Sequence, residues 1–466
     1  MKPLFYFLFL TFLFPSSLLM AQNEGNRWYF GNYAGLEFYN GTVSYLESSA
    51  MWDNDNSSTI CDPSGNLLFY TNSVSVWNKN HEFMMNGEDL MGSTTSGQCG
   101  IIVPQPGTSK FYIFTNAPFT SSAGLNYSKV DMNEDNGRGM VTMKNIQLFP
   151  YTTEKLDAMF DSVSDSYWVI AHPFDSERFY AYNINSSGLN TTPVISDPCA
   201  FYSGGNPFGY NAIGQMTVSP DGKMIASGVL SDGYIELCDF DITTGRISNS
   251  RIIPDFPDAW GIAFSPNSKM LYAVRWWTDS VFQFDLRDTN LQAIIESKTL
   301  VGHATASNSY GYQAGYMQLG PNGKLYIARY EEHYLAVINY PDYLGAECGF
   351  VNDGVFLGAA TSTAGLSRAP VRRSIPVGIQ EDDNSSQLSF TVFPNPATTS
   401  IIVKRNSNAT GNFTLEISDV NGKKVIQNIA CDQSASTIDI SLLPKGIYFV
   451  KLHSDTGIAV KKVVVY

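Results

Sequence analysis

The sequence predicts an all-β chain: a seven-bladed β-propeller followed by a small C-terminal β-sandwich. Three observations lead there. Aromatic residues make up 13% and glycines number 38, while only 15% of residues are charged, a balance that suits half-buried strands and tight turns. A strand–turn–strand unit recurs: "SPDGKMIASG" from Ser219, "SPNSKMLYAV" from Ser265 and "GPNGKLYIAR" from Gly320. Residues 390–466 alternate apolar and polar positions between turn signals, as a two-layer sheet does.

From the N-terminus, "MKPLFYFLFLTFLFPSSLLMAQ" places Lys2 before an apolar run from Leu4 to Phe14, then Pro15 and two serines. That is the layout of a secretory leader, with Ala21 the expected last residue removed. The run is short for a membrane span, and no later segment is apolar enough for one. The expected organisation is leader 1–21, propeller 22–377, linker 378–389 and C-terminal sandwich 390–466. The linker, "GIQEDDNSSQLS", is acidic, polar and free of aromatics.

Six turns organise the body. They are anchored on Pro63, Pro106, Pro220, Pro266, Pro321 and the proline-free Ser164-Asp165. Pro63 and Pro106 lie 43 residues apart, and Pro220 and Pro266 lie 46 apart. Several short strands within such a period is the signature of a propeller. The best-kept unit reads as four strands: "GQMTVS", "MIASGVL", "YIELCDFD" and "ISNSRII". "RWYFGNYAGLEFYNG" (27–41) supplies a seventh, incomplete unit, and "GVFLGAATSTAGL" (354–366) is its expected closing partner. Closure would hide both sheet edges. Seven blades is the expectation, with six and eight as alternatives.

The net charge is −14, and residues 390–466 hold eight basic against five acidic side chains, so the body carries −17. An acidic body disfavours nucleic acid. Six cysteines, at 61, 99, 199, 238, 348 and 431, have no CxxC spacing. Zinc and dithiol redox chemistry are therefore not expected, and any disulfide pairing stays open. No GxSxG, HExxH, P-loop or dinucleotide fingerprint occurs. Of the five histidines, no two stand four apart. "DMNEDNGRG" fails the calcium-loop pattern at its sixth and twelfth positions. It and "WDNDNSS" (52–58) read as solvated hairpins. No cofactor and no metal are expected.

"FSPNSKMLYAV" and "LCDFDITTG" resemble the blades of WD-repeat and YVTN-type propellers. "W.FG..AGL.F" and "Y..VDM....GRG.V", found within 27–142, resemble propeller regions of large surface and gliding-associated proteins of the Bacteroidetes. The tail resembles the C-terminal sorting domain of type IX secretion cargo. Phe393, Pro394, Asn395 and Pro396 match its opening motif. Asp419, Gly422 and Lys423 match its hairpin. Leu443, Gly446, Tyr448 and Val450 match its penultimate strand, and Lys461, Lys462 and Val464 its end. This resemblance implies export through the outer membrane by a dedicated translocon, and then release or surface attachment.

In a four-stranded blade, the loop after the second strand and the loop leaving the fourth share one face. Here those loops are long and aromatic. They carry His172, Phe201, Tyr202, Tyr210, Arg275, Trp276, Trp277, Tyr310, Tyr312, Arg329, Tyr330 and His333, while the opposite face has short turns. Exposed aromatics beside polar groups on a rigid scaffold suit the capture of a glycan, peptide or protein. The alternatives are a hydrolase or lyase on the same face, or a passive envelope component. Linear spacing does not resolve carboxylate pairs among 43 acids.

Overall fold

The computed structural model describes residues 23–197, 202, 209–307, 311, 314–372, 390–405, 413–419, 423–430, 435–454 and 457–465. It divides into two compact units, Met1–Ser374 and Ile375–Tyr466.

The recurring Ser-Pro turn has a physical reason. Ser219 Oγ accepts the amides of Met224 (2.9 Å) and Lys223 (3.2 Å), and Ser265 Oγ accepts Met270 N–H at 3.0 Å. Gly222 takes φ +72°, a conformation that costs a glycine nothing. The serine thus closes the hairpin that the glycine allows. Among the described residues of the first unit, such hairpins build seven sheets whose sequential strands pair antiparallel. Blade 1 holds Arg27–Phe30, Ala34–Tyr39 and Thr42–Tyr45; blade 2 holds Ser57–Cys61, Leu67–Thr71 and Val76–Asn78. Blade 3 runs from Gly100–Pro104 to Met140–Phe149, and blade 4 from Thr152–Asp161 to Val194–Ser196. Blade 5 runs from Met216–Val218 to Arg246–Ile253, blade 6 from Ala259–Phe264 to Thr299–His303, and blade 7 from Ala314–Leu319 to Phe350–Phe356.

The sheets form a closed ring, because an apolar cluster fills every gap between neighbours, including the gap between blades 7 and 1. In that last gap Tyr326 meets Trp28 and Phe38 edge-on, at 5.4 and 5.5 Å. Each such side chain contributes roughly 1.5–3 kcal/mol by burial. The expected closing stretch divides. Gly354–Phe356 ends the outer strand of blade 7, while Thr361 pairs with Asn32 of blade 1. Gly31, at φ +56°, lets them approach: a Cβ there would lie 2.6 Å from the Thr361 carbonyl. The chain then runs down the axis. Ser367–Arg368 pairs in parallel with Ser57–Ser58 of blade 2, and Val371–Arg372 with Met159–Phe160 of blade 4.

The second unit packs a three-stranded sheet (Phe390–Phe393, Ser400–Arg405, Ala435–Asp439) on a four-stranded one (Thr414–Asp419, Lys424–Ala430, Gly446–Ser454, Gly457–Val465). Phe390, Ile401, Leu415, Ile417, Val450 and Val463 form its core.

Candidate functional site

The inner strands of blades 2–7 begin on the long-loop face, and polar side chains there knit the ring around the axis. Gln98 Oε1 accepts the amides of Leu156 in blade 4 and Met216 in blade 5, and its Nε2 donates to the Met216 carbonyl. Gln215 does the same for Ile262 and Met317 in blades 6 and 7. Asn56 accepts Leu366 N–H and donates to the Gly97 carbonyl.

This polar collar encloses carboxyl groups that no sequence motif marks. "WDNDNSS" is not a solvated hairpin. Asp53 is fully buried and Asp55 is 9% exposed, because the loop tucks under the axial strap: Asn54 O accepts Ala364 N–H, and Asp53 N–H donates to Gly31 O. Glu154, from the inner strand of blade 4, is 5% exposed and accepts Gly97 N–H at 2.6 Å. Burial lifts the Asp55 carboxyl to about 7 and that of Glu154 to about 8. Burial, and then the charge of Asp55, push Asp53 up further. The Tyr316 hydroxyl belongs to the same group. It is buried and has no hydrogen-bond partner among the described residues. A Cβ on Gly97 would lie 1.8 Å from it and 3.3 Å from Glu154 Oε2.

Lys155 faces the other way. Its ammonium donates to the carbonyls of Ile213, Gly214 and Gly228 and lies 5.0 Å from the Tyr202 ring. Burial lowers it to about 7, against the pull of Glu236 and Glu154.

The other side of Tyr316 is aromatic. Its ring lies 4.9 Å from Trp260, which stacks on Trp276 at 4.2 Å. Trp277 and Tyr330 approach Trp276 edge-on, at 6.2 and 6.3 Å. Trp277 is 53% exposed and Trp276 only 8%.

Of the residues singled out in the sequence, Trp276, Trp277 and Tyr330 thus come together. His172, Tyr202 and Arg329 do not join them. His172 is buried between Phe179 and Tyr202, and its Nδ1–H donates to Pro173 O (2.8 Å); burial drops it to about 3, so it stays neutral. Tyr202 is buried, its hydroxyl donating to Glu236. Arg329 is buried in an ion pair with Asp353 (2.5 Å) and donates to Thr305 O. These three pack the interior and present no free surface. Arg275 pairs with Asp258 at 3.4 Å, His333 is exposed beside Ala360 O, and Tyr210 is 38% exposed. Phe201, Tyr310 and Tyr312 lie outside the described residues.

A cavity of about 270 Å³ opens at the short-turn end of the axis, lined by Trp28, Pro104, Tyr167, Pro220, Pro321 and Pro370. The four described cysteines are unpaired and buried. Among the described residues no helix is long and apolar enough to cross a membrane.

In the second unit, Asn395 of the opening motif ties that motif to the last strand: its Oδ1 accepts Val464 N–H (2.9 Å) and its Nδ2 donates to Lys462 O (2.8 Å). Lys423 N–H donates to Asp419 Oδ1 at 2.9 Å, and Tyr448 OH to Pro444 O at 2.7 Å. Gly446 opens the strand paired to the last, in which Lys461 and Lys462 face Val450 and Phe449. Gly422 lies outside the described residues.

Fold and tail together define an exported β-propeller protein. Residues 391–466 match the family described as the secretion system C-terminal sorting domain. This domain marks the chain for type IX secretion to the cell surface or the outside. No curated protein matches the chain. Solved structures similar to it include a protein from Lactobacillus plantarum (13% identity, 89% of this chain and 99% of that one, TM-score 0.40). The periplasmic gluconolactonase of Pseudomonas aeruginosa is another (11%, 89% and 98%, TM-score 0.39). A third is a candidate 6-phosphogluconolactonase from Bacteroides uniformis (14%, 88% and 99%, TM-score 0.39). Likeness at this level carries no argument about activity.

Proposed function

We propose that this chain is a type IX cargo whose propeller binds a glycan, peptide or protein at the long-loop face, with residues 1–21 as its secretory leader. The kinship with WD-repeat and gliding-associated propellers belongs to the same reading. The observation that carries it is Trp277. A half-exposed indole stands on a buried stack of Trp276 and Trp260 at the inner rim, where a flat sugar or side chain can lie against it. The test is a glycan-array and peptide screen of the secreted protein beside Trp277→Ala. Loss of the bound ligand in the variant supports the reading, and equal binding by both sinks it. A second reading, an extracellular hydrolase or lyase, is favoured by Asp55 and Glu154, carboxyls held protonated near neutral pH beside that face. Turnover of the captured ligand, lost in Glu154→Gln, would support it.

A further inference from the structure

We propose that the short-turn face of the propeller carries a second binding site, a proline-walled groove that takes a basic, apolar peptide segment. It lies at the end of the axis away from Trp277, so its partner is distinct from the ligand of the long-loop face.

Two chambers make up the groove. The axial cavity of about 270 Å³ shares Glu24, Ile60, Pro104 and Tyr167 with a second cavity of about 320 Å³. The second reaches out to Pro63, Pro106, Phe111 and Phe160 of blades 2 to 4. All of these residues belong to the first unit. Four of the turn prolines that mark the repeat stand in the walls: Pro220 and Pro321 in the axial chamber, Pro63 and Pro106 in the outer one. A proline ring is rigid and apolar and has no N–H to donate, so the repeated turn builds a wall suited to apolar contact. Trp28, Tyr167 and Phe111 add aromatic surface. The charged groups are of one sign. Glu24, Asp62 and Asp165 line the groove, and among the described residues no lysine, arginine or histidine does. Against desolvation, hydrogen bonds from Asn66 and Ser64 hold the Asp62 carboxyl below its usual range, so it is ionised at neutral pH. Gln105, in the outer chamber, is only 7% exposed. Its Nε2 donates to Ser186 O, and its Oε1 has no partner among the described residues, whereas buried polar atoms are paired in the great majority. An acidic, acceptor-bearing rim on an apolar wall calls for a partner with positive charge and N–H groups. An arginine or lysine side chain supplies both and brings no acceptor to leave unsatisfied. Apolar residues beside it cover the prolines, and two joined chambers hold a segment of several residues rather than one side chain.

Calorimetric titration of the full chain at pH 7 and low salt tests this. The probe is Nα-acetyl-Arg-Leu-Pro-Leu-amide, beside the same peptide carrying citrulline, the neutral isostere of arginine. The arginine peptide is expected to bind at least ~5-fold more tightly, with a preference that shrinks as salt is raised. The double variant Asp62→Asn, Asp165→Asn should remove most of that preference. Asp165 stands at φ +47°, which asparagine also adopts readily. Gly25→Trp should abolish binding of both peptides. Gly25 lines the axial chamber, and a Cβ there would meet only Pro321 Cγ, at 3.9 Å, so the indole fills the groove without backbone strain. A thermal melt no lower than the parent's confirms the fold of each variant. Equal binding of the two peptides, no binding of either, a preference kept in the double variant, or affinity unchanged in Gly25→Trp overturns the site. Trp277→Ala should leave the peptide's affinity intact, so this groove and the long-loop face stand or fall separately.

Discussion

Arg368 and Asp157 meet at 2.9 Å inside the propeller axis, each side chain no more than 6% exposed. Arg368 belongs to the closing strap and Asp157 to the inner strand of blade 4, so a contact across more than 200 residues fastens the end of the body to its middle blade. Arg368 also donates to Leu156 O, and Asp157 accepts Val218 N–H at 3.0 Å. Arg368→Met leaves Asp157 buried and unpaired. A loss of about 3–5 kcal/mol is expected in denaturant unfolding, and the double variant with Asp157→Asn should recover part of it.

The buried carboxyl groups of Asp55 and Glu154 make stability depend on pH. Asp55 and Glu154 have folded-state pKa values of about 7 and about 8, well above the unfolded values. The folded state therefore binds the extra protons, and its stability falls as pH rises from about 4 toward 8. His172, lowered to about 3, acts with the opposite sign up to about pH 6.5, one group against two carboxyls, and Lys155, lowered to about 7, does so only above that pH. Melting temperature should thus fall between pH 5 and 7, and the double variant Asp55→Asn, Glu154→Gln should flatten the slope.

The two adjacent tryptophans should separate stability from binding. Trp276 is buried against Trp260, so Trp276→Ala should cost about 3–5 kcal/mol. Trp277, 53% exposed, should change stability by no more than about 1 kcal/mol when truncated, while abolishing ligand capture. Chemical denaturation and the binding screen, run side by side, check both.

Asn395 should matter for export through folding of the tail. Asn395→Ala removes two backbone ties to the last strand, at about 1 kcal/mol each. Less protein should reach the medium or cell surface, measured against the unchanged parent, while the body still folds.

Seven blades and an appended sandwich were legible in the sequence because both rest on local signals. Period-two alternation, Ser-Pro and Asp-Gly turns and the motif at Phe393–Pro396 all lie within a few residues of the structure they specify. Trp276, Trp277 and Tyr330 were also legible, as aromatics in loops that follow second strands. What lay hidden was burial. His172 and Arg329 were expected in loops yet end the second strands of blades 4 and 7, and they and Tyr202, between blades 4 and 5, are buried. "WDNDNSS" looks solvated as a string, yet the strap from Thr361 to Arg372 covers it.

By itself, then, the sequence determined the repeat, the strands and the export module, since hydrogen-bond periodicity and turn chemistry are encoded over short spans. Only the tertiary structure decided which polar side chains meet at the axis. There, residues as distant as Asp53, Glu154, Tyr316 and Arg368 share one desolvated space, and desolvation is a property of the closed ring that no single segment carries.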